Sequence, residues 1–275
     1  MKTKDSESCS KYLQRVKRRK YPALVSLFVP NLDNPYFGGL TEKITRRFNR
    51  DNVHVSISGM LNKNIEIVKM FSPSATIMVC QMDTDFINQV AVEDNIIGIN
   101  CAFPEGIVFP NIEIDFRSSY LKIAARAISM GRSKFAFLTH MPEESQDDKF
   151  SHVREVLEKN GLHPVGPKDR RSFSDIKSFV SFSSSRKKNV DIAFCEDDPT
   201  AVKLLAELAM NGLKVPEDII VVGCDNTIPV SRLWTVDIDL EEIAEVTFQL
   251  YRELISHHII TGKTIIMTKP VFRNG

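Results

Sequence analysis

The sequence lacks what would carry it into or across a membrane. No apolar run is long enough to span a bilayer. The first twenty residues are polar and basic, without the apolar core of a secretory leader. The chain is therefore expected to be cytoplasmic, with no membrane partner. Signatures of catalysis are scarce too. No glycine-rich phosphate loop follows a strand: Gly38-Gly39 falls inside a predicted helix and Gly223 stands alone. There is no Gly-x-Ser-x-Gly elbow. No Cys/His pair has metal spacing, and the adjacent His257 and His258 cannot share one helix face. Cys195 has no candidate base nearby, so it reads better as a buried strand cysteine than as a nucleophile. The expectation is a protein that is not an enzyme and needs no cofactor. A disulfide framework is excluded as well. The five cysteines are odd in number; Cys80, Cys195 and Cys224 fall in predicted strands, Cys101 at a strand end and Cys9 near the start. That pattern reads as reduced, mostly buried thiols.

What is present is the composition of an ordinary soluble globular protein, 43% hydrophobic and 26% charged over 275 residues. This length suits one large α/β domain or two lobes. The net charge of +1 is unevenly spread. Residues 1–20 carry Lys2, Lys4, Lys11, Arg15, Lys17, Arg18, Arg19 and Lys20 against Asp5 and Glu7, a local +6 that leaves −5 on the remainder. Such an arm either contacts a polyanion or is a solvated terminus.

Strands and helices alternate after the arm. Strands are expected at Ala23–Val29, Val53–Ser58, Thr76–Cys80 and Ile96–Ile99, with helices from Asn34-Pro35 to about Arg50, around 64–71, and from Asp83 to about Val92. A crossover over 101–111 precedes a second series. Its strands are Ile112–Ile114, Phe135–Thr139, Asp191–Cys195 and Ile219–Val222; its helices are Arg117–Met130, about Lys149–Asn160, around Ser174–Ser183, Pro199–Asn211 and Leu240–His257. His140–Asp148 reads as a loop, Thr235–Asp239 as a crossover, and Ile265–Phe272 as β-rich. Alternation at this spacing implies parallel sheets flanked by helices, in two lobes of one architecture.

The most informative stretch is Val215-Pro-Glu-Asp-Ile-Ile-Val-Val-Gly-Cys-Asp-Asn226. Its β-branched run fits a strand covered on both faces, and it delivers Asp225 where a parallel strand should end. Ligands of open α/β sheets sit outside those ends. Asp225 is thus a pocket residue or a turn-former. Asp198 precedes Pro199, which makes it the expected N-cap of its helix and leaves Asp197 free to point into a cleft. Asn34-Pro35 repeats the arrangement, with Tyr36 and Phe37 in the first turn, either in a pocket or in the core. Lys149 is a pocket residue or a solvated lysine. Aromatics beside carboxylates and amides suit a sugar, a polyol or a nucleoside.

These residues carry a likeness. The segments VPNLDNPYFGGL, VREVLEKNGL, FCEDDPTAVKLLAELAMNGLKVPEDIIVVGCDN and WTVDIDLEEIAEVTFQLYRELI resemble the effector-binding region of lactose-repressor-type transcription regulators, across about residues 21–273. That family shares its fold with periplasmic sugar-binding proteins. The resemblance implies a periplasmic-binding-protein-like fold of two lobes, 21–111 with 239–262 and 112–238 with 263–275, closing on a small effector, and a homodimer. It implies ligand contacts from Tyr36, Phe37, Asp197 and Asp225. The family's arginine before a Gly-Phe pair falls on Lys149, and its Asp-Arg after the fourth strand on Asn100-Cys101, so a planar bidentate donor gives way to a point charge at Lys149. Residues 10–20 resemble the family's hinge, with Leu13 as the candidate minor-groove wedge and Arg15, Lys17 and Arg18 as further DNA contacts of the arm. About twenty residues precede the first strand, too few for a helix-turn-helix. Operator DNA is therefore expected to be met through a reader domain not in this chain, or weakly through the arm. A solute-binding protein for transport of a sugar-like ligand is the alternative.

Overall fold

The computed structural model describes residues 23–59, 65–93, 95–102, 104–140, 143–166, 172–184, 190–256 and 262–273. Leu13, Arg15, Lys17 and Arg18 of the basic arm lie outside the described residues, as do Cys9 and the His257-His258 pair. In chain order the elements are β1 (Ala23–Val29), α1 (Pro35–Asn49), β2 (Val53–Gly59), α2 (Glu66–Phe71), β3 (Ala75–Val79), α3 (Thr84–Glu93), β4 (Ile96–Ile99) and β5 (Asn111–Asp115). There follow α4 (Arg117–Ser129), β6 (Phe135–Leu138), α5 (Glu143–Lys159), α6 (Ile176–Ser183), β7 (Ile192–Cys195), α7 (Asp198–Met210), β8 (Ile220–Val222), β9 (Leu233–Asp237), α8 (Leu240–Ile255), β10 (Lys263–Met267) and β11 (Lys269–Val271). Among the described residues, no helix is long and apolar enough to cross a membrane.

The chain divides into two compact units. The first takes the described residues up to Pro30, then Thr41–Asn111 and Ala244–Gly262. Its strands run in the order β4-β3-β1-β2, all parallel, and the sheet continues past β4 through β5 and β10, where the chain passes between units. β1 is central because it is apolar on both faces: Val25, Leu27, Phe28 and Val29 are fully buried. One side of this core is aromatic. Phe48 meets Phe248 edge to face at 5.1 Å and Tyr251 at 5.2 Å, while Arg47 lies 3.6 Å over the Phe248 ring and is paired with Glu245 and Asp51.

The second unit takes Asn31–Leu40, Ile112–Ile243 and the chain from Lys263 on. Its sheet has the order β11-β9-β8-β7-β6. The pairs β6–β7, β7–β8 and β8–β9 are parallel, whereas β11 runs antiparallel to β9. The sheet is thus not wholly parallel as expected: β11, separated from β10 by Thr268 alone, runs antiparallel along the edge of β9. Tyr120 of α4, Phe150 of α5, and Phe135, Phe137 and Phe194 of the strands form a buried ring cluster with centroids 4.9–6.2 Å apart.

Two element expectations need correction. Thr235–Asp239 is not all crossover, because Leu233–Asp237 forms the buried strand β9, held on both edges by β8 and β11. The loop expected over His140–Asp148 is helical from Glu143. The sequence places the acidic pair Glu143-Glu144 at the first turn, where acidic residues are favoured, and the helix starts six residues before Lys149.

Candidate functional site

The second unit gathers polar side chains at the carboxyl ends of β7 and β8. β7 runs out into Glu196-Asp197-Asp198 and β8 into Gly223-Cys224-Asp225-Asn226. The start of α1 clusters with the same unit. Asn34 caps α1 as expected: its Oδ1 accepts from Tyr36 N at 2.9 Å, and its carbonyl accepts from Gly38 N at 2.9 Å. Its Nδ2 then donates to Asp197 Oδ2 at 3.1 Å. This contact joins α1 to the end of β7 across 163 residues of sequence.

The two aspartates before Pro199 exchange their expected roles. Asp197, not Asp198, is the N-cap of α7: its backbone is extended and its Oδ1 accepts from Thr200 N at 2.8 Å. Proline fits the second helical position as well as the first, since the first four amides of a helix have no intrahelical acceptor. Asp198 is helical and fully buried. Thr235 Oγ1 donates to it at 2.6 Å and Ile228 N at 3.3 Å, while its own N–H reaches Cys224 O at 2.9 Å. Burial first, and the negative charge of Asp225 beside it, push the Asp198 carboxyl up to about 6; the Thr235 bond pulls the other way. Gly223 makes room for this packing, because a Cβ there would lie 2.2 Å from Asp198 Oδ1.

Asp225 and Asn226 follow in the left-handed region, with φ 90° and 52°. Asp225 N donates to Val236 O at 2.8 Å, and Asn226 N to Thr235 Oγ1 at 3.3 Å. Glu196 has a different task. Its Oε2 accepts from Thr139 Oγ1 and His140 N, both at 2.8 Å, fastening the ends of β6 and β7 together. Burial, with the charges of Asp197 and Glu196 next, pushes the Cys195 thiol well above its usual value, which keeps it protonated.

Tyr36 is buried and Phe37 half-buried, in edge-to-face contact at 5.1 Å. Asp197 and Asp225 are both half-buried. Asn100 belongs to the first unit, at the end of β4 with φ 50°. Lys149 sits in the second turn of α5 rather than at its start, and its side chain lies outside the described residues. Sequence reasoning missed the Asn34–Asp197 bond, and Thr235, Asp237 and Arg273 as partners of the strand-end residues; no local spacing signals them. Among the described residues no group of three or more His, Cys, Asp or Glu could hold a metal ion. A groove of about 480 Å³ is lined by Lys177, Val180, Ser181, Ser184, Glu207 and Asn211. It opens at the far end of α7, about 15 Å along the helix from Asp197, and gathers no aromatic ring.

Helices alternating with mainly parallel strands in both units make this an α/β protein, with carboxylates at strand ends of the second unit. The sequence pattern of the periplasmic binding protein-like domain matches residues 124–274, and the chain belongs to that family. It is similar to Catabolite control protein A of Staphylococcus aureus, 22% identical over 276 residues, covering 93% of this chain and 82% of that protein. Among solved structures, a LacI family transcriptional regulator from Arthrobacter sp. FB24 in complex with lactose superposes with a TM-score of 0.77 at 20% identity, covering 92% of this chain and 98% of that one. The lac repressor dimer bound to operator and the anti-inducer ONPF gives 0.77 at 14% identity, covering 96% and 97%. These structures share the fold.

Proposed function

We propose that the chain is the effector-sensing and dimerising region of a DNA-binding transcription regulator, working in the cytoplasm without catalysis of its own. The observation that carries this reading is the similarity to a named control protein along nearly the whole chain. The effector is a small polar molecule of the sugar, polyol or nucleoside class, taken at the strand ends of the second unit. Asp225 accepts from its hydroxyls, Asp197 offers a second carboxylate, and Tyr36 and Phe37 supply the apolar side that such ligands need. Lys149 and Asn100 are further contacts in the same reading. Operator DNA is the partner of the assembled homodimer. The arm residues Leu13, Arg15, Lys17 and Arg18 add a weak contact that falls steeply with salt. The expected lobe boundaries, near 111/112, 238/239 and 262/263, belong to this proposal too.

Titration calorimetry with ribose, glucose, sucrose, lactose, a polyol and a nucleoside tests it. At least one member is expected to bind, and Asp225→Ala to weaken it by about tenfold or more, as for loss of a charged hydrogen-bond acceptor. Wild-type affinity in Asp225→Ala removes Asp225 from the site; silence across the panel removes the ligand class.

A further inference from the structure

We propose that Arg273 and Asp237 are positioning residues for Asp225, acting through the side chain of Asn226; the inference rests on Asp225 being the ligand anchor argued above. Two successive non-glycine residues, Asp225 and Asn226, hold φ of 90° and 52°. That region is sterically disfavoured for side chains other than glycine, with asparagine among the more tolerant, and such torsions persist only where surrounding contacts over-determine them. Here the contacts come from three segments. The Asn226 amide is gripped at both ends: Nδ2 donates to Asp237 Oδ1 at 2.7 Å, and Oδ1 accepts from the Arg273 guanidinium. Arg273 also donates to Leu233 O at 3.4 Å. The backbone is held by Asp225 N on Val236 O and Asn226 N on Thr235 Oγ1.

An anion at the donor end and a cation at the acceptor end leave the amide a single orientation. Aspartate at 226 would instead set two carboxylates against each other. The clasp therefore joins the end of β8, the end of β9 and the segment after β11, and aims the Cα–Cβ bond of Asp225. A carboxylate aimed in advance binds without the loss incurred in ordering it.

The test uses Arg273→Met, Arg273→Lys and Asn226→Gly, each read by calorimetry with the panel member that binds best and by amide hydrogen exchange. Glycine adopts φ 52° freely, so Asn226→Gly separates the amide clasp from backbone strain and preserves the fold if Arg273→Met does not. Arg273→Met and Asn226→Gly are expected to weaken binding by about tenfold and to speed exchange at Asp225 and Asn226, with exchange in β7 unchanged. Arg273→Lys keeps the charge and is expected to recover part of the affinity. Unchanged exchange at 225–226, or faster exchange with wild-type affinity, overturns the proposal. Wild-type affinity in Asp225→Ala defeats the underlying reading instead, so the two failures are told apart.

Discussion

Asp198→Asn should remove a pH dependence of stability. The Asp198 carboxyl stands at about 6 in the folded chain, against about 3.9 when unfolded. Between those values the native state holds a proton that the unfolded state releases. Stability from this group is therefore greatest at low pH, falls as pH rises, and levels off above 6. Linkage puts the loss between pH 4.5 and 7.5 at about 2 kcal/mol, or about 1–2 kcal/mol after allowance for residual solvent screening. Other carboxylates work in the opposite direction. The Arg47 hydrogen bond holds Glu245 down, Lys159 does the same for Glu155, and the Ser178 N–H for Asp175. These groups are common to both proteins and cancel in the difference. The amide does not titrate, and its NH₂ facing Ile228 N adds only a constant offset. Urea unfolding of wild type and variant across pH 4.5–7.5 reads the effect. The wild type should lose about 1–2 kcal/mol relative to Asp198→Asn as pH rises. A flat difference, or one of opposite slope, refutes the placement of Asp198 as a buried, charge-crowded acid.

The same packing makes Gly223→Ala informative. The added Cβ would lie 2.2 Å from Asp198 Oδ1 and 3.3 Å from Ala201 Cβ, both on fully buried residues. A stability loss of about 1–3 kcal/mol is expected from overpacking, read as a lower thermal midpoint; an unchanged midpoint would show that the site relaxes freely. In the first unit, Arg47→Met keeps much of the stem but loses the pairs with Glu245 and Asp51 and the stacking on Phe248. It should cost about 1–2 kcal/mol, shrinking at high salt; a salt-independent loss would assign the effect to packing alone.

Where the chain writes its own local signal, the sequence was enough. The apolar runs Ala23–Val29 and Ile96–Ile99 are strands with the expected bounds. β9 was missed because Leu-Trp-Thr-Val-Asp is followed within three residues by a helix, which mimics a connection; its strand character comes from β8 and β11 on either side. The start of α5 was missed because Glu143–Asp148 has no apolar period to read. At Asp197-Asp198 the local rule was ambiguous, since proline is accepted at either of two helical positions. Thr235, 37 residues away, breaks the tie by taking the second carboxylate. The clasp on Asn226 spans 11 residues to Asp237 and 47 to Arg273, so no window of sequence contains it. For the proposed site, the residue types were legible and their division of labour was not.

That division follows from how each carboxylate is already engaged. Asp198 is sealed behind Gly223, with Thr235 on one oxygen and Ile228 N on the other; it shapes the wall and cannot reach a ligand without leaving buried donors unsatisfied. Asp197 is half-buried and gives Oδ1 to the helix amide, a bond on which the start of α7 depends. Its Oδ2 is different. The partner there is the neutral amide of Asn34 at 3.1 Å, a contact worth about 1 kcal/mol. An incoming hydroxyl can take that place at little cost, and would free Asn34 Nδ2 for a ligand oxygen. The contact that holds the start of α1 to β7 is thus also the one a ligand would most readily exchange. In the proposed site, Asn34, read from sequence as a cap alone, then stands beside Asp225 and Asp197 as a candidate ligand contact, because its Nδ2 bond to Asp197 Oδ2 is the one a hydroxyl would exchange.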